Sequence, residues 1–98
     1  MPTFVLLTKL STEVTKQMKD RADLGRQWLE KVKETCPEVK FLSHYALLGQ
    51  YDFLDIYEAP NEETAAKVSM ISQSYGAFQS QSLIAIPYSD FVRMTKDL

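Results

Sequence analysis

The chain has 98 residues with 11 basic and 13 acidic side chains and a net charge of -2, which leaves no positive footprint for nucleic acid or anionic lipid. One small domain, residues 1–98, buries only about two thirds of the surface its unfolded chain exposes, so self-association is a direct route to further burial. The single cysteine, Cys36, has no disulfide mate and no neighbour at metal-ligand spacing, which points to a reducing cytoplasm and to no metal or other cofactor.

Thr3 to Leu10 is predicted as the first strand, because Phe4, Val5, Leu6 and Leu7 form a continuous apolar run of the kind found at the centre of a sheet. The run is too short for a secretory signal or a membrane span. Ser11 and Thr12 then offer N-cap oxygens to a long helix, with an inward stripe at Val14, Met18, Ala22, Gly25, Leu29, Val32 and Cys36. Trp28 lies beside that stripe, placed to pack on the sheet or on a partner. Gly25 costs such a helix about 1 kcal/mol relative to alanine, which implies close approach to the sheet or a break between Ala22 and Gly25. Pro37 closes the segment.

Strands are expected over Val39–Leu48 and Tyr51–Glu58, joined by a tight turn at Gly49 and Gln50. Pro60 stops the third strand. Asn61 caps a second helix with Glu62 and Glu63 in its positive first turn, Thr64, Val68, Ile71 and Tyr75 facing inward, and Gly76 at its end. Phe78–Tyr88 reads as an edge strand, since it mixes polar with aliphatic residues and carries Pro87. The tail from Ser89 to Leu98 is amphipathic, with Phe91 and Val92 expected either to dock a last helical turn or to fray at the terminus. The order β-α-β-β-α-β predicts an α+β, ferredoxin-like plait: a four-stranded antiparallel sheet with two helices on one face. Its other face is left bare, and a second copy of the chain is the expected cover.

With Gly49 and Gln50 as the loop, Leu48 faces Tyr51, Ala46 faces Phe53, His44 faces Asp55 and Leu42 faces Tyr57, all on one side of the hairpin. Leu47 with Asp52, Tyr45 with Leu54, Ser43 with Ile56 and Phe41 with Glu58 take the other side. Leu54 and Ile56 suit the helix face, so His44, Tyr51, Asp55 and Tyr57 are expected on the open one. A loop of three residues breaks this pairing, because a one-residue slip sends a strand's side chains to the opposite face. His44 beside Asp55 has the make-up of an acid/base pair, and equally of a satisfied cross-strand contact. Asp52 is placed to accept N–H bonds from its own loop. His44, Tyr45, Tyr51, Asp52, Asp55 and Tyr57 are the candidate ligand-binding residues, the tyrosines supplying ring surface and hydroxyls; none is assigned as catalytic. Pro2 becomes a free secondary amine only where Met1 is removed, as in some tautomerases.

Leu47-Leu48-Gly49-Gln50-Tyr51-Asp52, the run Glu58 to Ala66, the strand opening Val5-Leu6-Leu7, Ser43 to Tyr45 and the Ile84 region together resemble the GYD-domain family. The family's named residues fall on Gly49, Tyr51 and Asp52. The resemblance implies a ferredoxin-like fold of the dimeric α/β-barrel kind and no particular activity, and His44 lies outside the family's signature. The hairpin is also similar to the effector-binding domains of leucine-responsive regulators. The expected function is therefore a cytoplasmic homodimer or higher homo-oligomer that binds or senses a small molecule on or between its open sheet faces. A cofactor-independent monooxygenase, isomerase or tautomerase of the same superfamily, or a purely structural oligomerisation module, are the alternatives.

Overall fold

The computed structural model describes Met1 to Leu98. Strand β1 (Thr3–Leu10) is followed by a short helix α1 (Thr12–Thr15), a 3-10 turn (Met18–Asp20) and helix α2 (Arg21–Thr35). Strands β2 (Lys40–Ala46) and β3 (Phe53–Glu58), helix α3 (Glu62–Ser74), strand β4 (Ala77–Ala85) and helix α4 (Tyr88–Thr95) complete the chain. The strands form one antiparallel sheet in the order β2-β3-β1-β4. The fold is the ferredoxin-like plait, with β1 inside the sheet and β4 at its edge. No helix is long and apolar enough to cross a membrane.

The predicted first helix is broken, and not where Gly25 marked it. Ser11 Oγ accepts the Val14 N–H at 3.3 Å, and the Ser11 N–H donates to the Gly76 carbonyl at 2.9 Å, which ties α1 to the turn after α3. The chain must then redirect before it can cross the sheet, and it does so over Lys16 to Asp20. Met18 and Ala22, expected to point inward, are exposed. The working face of α2 carries Leu24, Trp28, Val32 and, just past its end, Cys36. Trp28 packs on the core, its ring 5.3 Å from that of Phe41, and its indole N–H donates to Ser72 Oγ at 2.8 Å.

β1 buries Phe4, Leu6, Thr8 and Leu10 in strict alternation. Phe4 and Leu6 join Val32, Cys36, Tyr57, Ala59, Ala65, Val68 and Ile71 in the core between sheet and helices. At the end of α3, Gly76 has φ +101°, and a Cβ there would lie 2.8 Å from Val14 Cγ2 and 3.0 Å from Leu24 Cδ2. Glycine is required both for that backbone angle and for the packing of α1 and α2 over the turn.

The β2–β3 connection is wider than a two-residue turn: the Leu47 N–H donates to the Asp52 carbonyl at 2.8 Å, and the strands begin only at Ala46 and Phe53. Widening adds equally to both arms, so the parity of the pairing survives. Ala46 still faces Phe53, Tyr45 faces Leu54, His44 faces Asp55 and Ser43 faces Ile56. Beyond Ser43 the register shifts at a bulge, which sets Phe41 opposite Tyr57 in place of Leu42, and Lys40 opposite Glu58. The extra residue turns the Phe41 ring into the core beside Tyr57, 5.7 Å away.

The expected faces of the hairpin are reversed. Asp55 and Tyr57 are buried under the helices, whereas Leu54 and Ile56 lie on the open face with Val5, Leu7 and Leu83. Aromatic volume decides this: Phe4, Phe41 and Tyr57 fill the space under Trp28 better than the aliphatic pair does. The tail also departs from expectation. α4 is a full helix, but none of its residues is buried, and Phe91 and Val92 are exposed.

Candidate functional site

Two clefts adjoin at the end of the sheet where α2 begins. A small one, of about 20 Å³, is lined by Thr8, Leu10, Phe53, Ser72 and Tyr75 among others, and has room for about one water molecule. A wider, mostly apolar hollow of about 380 Å³ opens between α2 and β2 and is walled by Gly25, Trp28, Leu29 and Phe41. Arg21, Trp28, His44 and Asp55 line both.

The pairing of β2 with β3 brings His44 opposite Asp55, and the imidazole Nδ1 bonds the Asp55 carboxylate Oδ1. The two environments differ. Asp55 is buried, while the His44 side chain is 53% exposed, and its ring stacks on Phe53 with centroids 5.5 Å apart. Burial pushes the Asp55 carboxyl above the ordinary aspartate value, and the contact with His44 and the charge of Arg21 pull it partly back. With the carboxylate accepting from Nδ1–H, the imidazole's Nε2 lone pair is left without a protein partner.

Arg21 opens α2 and lays its guanidinium over the Phe53 ring, 4.4 Å from the centroid. Half-burial pulls its basicity down, while Asp55 and Asp52 act in the other direction. No protein acceptor hydrogen-bonds the guanidinium. The one contact a Cβ at Gly25 would make is with Arg21 Nη2, at 3.8 Å, so Gly25 neither approaches the sheet nor breaks the helix. Its missing side chain leaves the hollow open beside the guanidinium.

Of the candidate residues, His44 and Asp55 meet in this cleft, on the helix face rather than the open one. Tyr57 is fully buried in the core, its hydroxyl 2.9 Å from Ser82 Oγ and 3.5 Å from the Ala65 carbonyl that accepts from it; burial raises its pKa, and it lines neither cleft. Tyr45 projects from the open face and is exposed. Tyr51 donates from its hydroxyl to Gln81 Oε1 at 3.3 Å, spanning β1 on that same face. Asp52 serves the architecture: its Oδ2 accepts the Leu10 N–H at 2.7 Å, where the β1–β4 register shifts, so its bond goes to β1 and not to its own loop. Lys9 lies 3.9 Å from the same oxygen.

Arg21, Phe53, Trp28, Ser72 and Tyr75 complete the cleft and were absent from the sequence-based set. A basic residue four positions before a helical glycine and seven before a tryptophan was the available signal, because that spacing sets all three on one helix face. Arg21 lay hidden because the predicted helix ran through it, whereas it begins a new one.

Residues 4–95 match the family model of the GYD domain. A Thermus thermophilus protein described as a glutamine synthetase and cystathionine beta-lyase binding protein is 31% identical over 102 residues, covering 98% of this chain and 100% of its own. Two solved structures share the fold. FFRP-DM1 superposes with a TM-score of 0.57 at 19% identity, covering 88% of this chain and 100% of that one. The hypothetical protein PHS023 from Pyrococcus horikoshii gives 0.52 at 22% identity, covering 89% and 92%. With a family match running nearly end to end and a relative aligned over its whole length, the chain belongs to the GYD-domain family.

Proposed function

We propose that this protein is a homodimeric binding protein that senses a small molecule in the α2–β2 cleft and uses it to control docking on a larger metabolic enzyme. The observation that carries the reading is the cleft itself: an apolar hollow of about 380 Å³, within the size range of ligand sites, with a few convergent polar groups. The cleft lies on the helix side of the sheet, opposite the open face expected from the sequence. Docking on an enzyme is supported by the Thermus relative, whose description is that of a protein binding glutamine synthetase and cystathionine beta-lyase. Dimerisation is supported by the bare sheet face, where Tyr45 is 58% and Leu83 47% exposed, beside the half-buried Val5, Leu7, Leu54 and Ile56. A cytoplasmic location is supported by the single cysteine, which has no disulfide mate.

A thermal-shift series of small aromatic acids, amino acids and quinones tests the cleft, because a ligand that binds only the folded chain raises its melting temperature. At least one class is expected to stabilise the protein; a flat response across the series rejects the small-molecule reading. Co-elution of the chain with its own organism's glutamine synthetase, with and without a stabilising compound, tests the docking.

The Asp55-oriented imidazole favours one second reading, a proton-transfer enzyme with Nε2 as the base. Exchange of solvent deuterium into a carbon-bound position of an added keto acid, followed by NMR, distinguishes it from pure binding.

A further inference from the structure

The Arg21 guanidinium has lost part of its hydration to the cleft, rests on the Phe53 ring and has no protein acceptor. A half-buried guanidinium without acceptors is suited to a carboxylate, which meets its N–H fork with two parallel bonds. The second polar feature is His44, whose Nδ1 is committed to Asp55 and whose Nε2, in the neutral tautomer that donates from Nδ1, is free to accept. Between them Trp28, Leu29 and Phe41 give a mostly apolar wall, with Arg26 at its margin turned to Asp23 and Glu30. Gly25 keeps the space clear, for a Cβ there meets nothing but the guanidinium, and the residue otherwise weakens its helix.

We infer that the cleft takes a small hydroxylated aromatic or conjugated carboxylic acid, its carboxylate on Arg21, its hydroxyl donating to His44 Nε2 and its planar body against Trp28 and Phe41. This names the ligand class of the binding reading above and rests on it. Asp55 does not repel such an anion strongly, because the Arg21 charge and the His44 Nδ1–H both face its carboxylate, and the Asp52 carboxylate is held by the Leu10 N–H with Lys9 3.9 Å away. The same arrangement disfavours amines, which would bring a cation beside Arg21, and neutral apolar compounds, which would leave the guanidinium without an acceptor. One unpaired guanidinium with one acceptor nitrogen also fits a phosphate poorly, since a phosphate's charge calls for further donors and the second guanidinium of the hollow, Arg26, is engaged by Asp23 and Glu30.

The test is isothermal titration of the whole chain with ortho-, meta- and para-hydroxybenzoate, alongside benzoate and the three matching hydroxybenzamides. At least one hydroxybenzoate is expected to bind, its amide and benzoate each about tenfold or more weaker, as the loss of a charged or a buried hydrogen bond implies. Arg21→Met is expected to abolish binding. Gly25→Val, which grows into the hollow beside the guanidinium and removes none of the polar groups, is expected to do the same while circular dichroism shows the fold retained. Equal affinity for acid and amide, equal affinity for benzoate, or an undiminished affinity in either variant overturns the inference. A neutral or cationic compound that stabilises the protein while no hydroxybenzoate binds overturns the ligand class and leaves the binding reading standing. No stabilisation by any compound overturns both.

Discussion

Asp52 is a hairpin residue whose side chain works on a different strand. Its Oδ2 accepts the Leu10 N–H at 2.7 Å, and its own N–H donates to the Thr8 carbonyl at 2.8 Å, so it fastens the turn to the end of β1. A hydrogen bond to a charged acceptor contributes about 1.5–3 kcal/mol. Asp52→Ala is expected to lower stability by about that much, and Asp52→Asn by less because an acceptor oxygen remains; urea unfolding measures both. Asp55 predicts a pH effect of definite sign. Its carboxyl is held above the ordinary value of 3.8, so on acidification the folded chain takes up this proton before the unfolded chain does. The group's contribution to stability is therefore least above the raised value and grows as pH falls toward 3.8. Wild type is expected to gain on Asp55→Asn between about pH 7 and about pH 4, read from paired urea titrations. A difference that moves the other way refutes the assignment.

Among the elements, helix boundaries were the least legible feature of the chain. The periodicity from Val14 to Cys36 was real as a pattern, yet the helix breaks at Lys16 to Asp20 because Ser11 and Val14 are held against Gly76 on one side while Trp28 must reach Ser72 on the other. A sequence window sees the period and not the anchor. Gly76→Ala is expected to destabilise the protein, by more than the roughly 1 kcal/mol that a strained backbone angle alone costs, since its Cβ would stand 2.8 Å from Val14 Cγ2. Thermal unfolding shows the loss. Gly25→Ala is expected to go the other way and stabilise by about 1 kcal/mol, because α2 gains a better helix former whose Cβ meets only the guanidinium, at 3.8 Å. The paired opposite signs separate the two glycines' roles. The hairpin pairing was legible because it depends on parity, and a loop widened equally on both arms leaves parity unchanged.

For the whole molecule, the extents of 50 × 30 × 18 Å and a radius of gyration of 14.7 Å, against roughly 13 Å for a compact chain of this length, describe an elongated body. α4 contributes to this, exposing Tyr88, Phe91, Val92 and Met94 at helical spacing. Together with the bare sheet face they are the surface that the proposed dimer would cover. Leu83→Glu, on the open face of an edge strand, is expected to yield a folded monomer by light scattering and circular dichroism where the parent chain is a dimer. A parent chain that is monomeric at micromolar concentration removes the proposal.

The order of elements, the central place of β1, the edge position of β4 and the apposition of His44 with Asp55 followed from the sequence by itself, because strand alternation, turn residues and hairpin parity are local properties. Which side of the sheet the helices cover was decided only in three dimensions. A period of two states that Asp55 and Leu54 point in opposite directions and does not say which direction is inward. That choice depended on the combined volume of Phe4, Phe41, Tyr57 and Trp28, which come from four separate elements. With it came the cleft, since Arg21 meets the His44–Asp55 pair only when that pair faces α2.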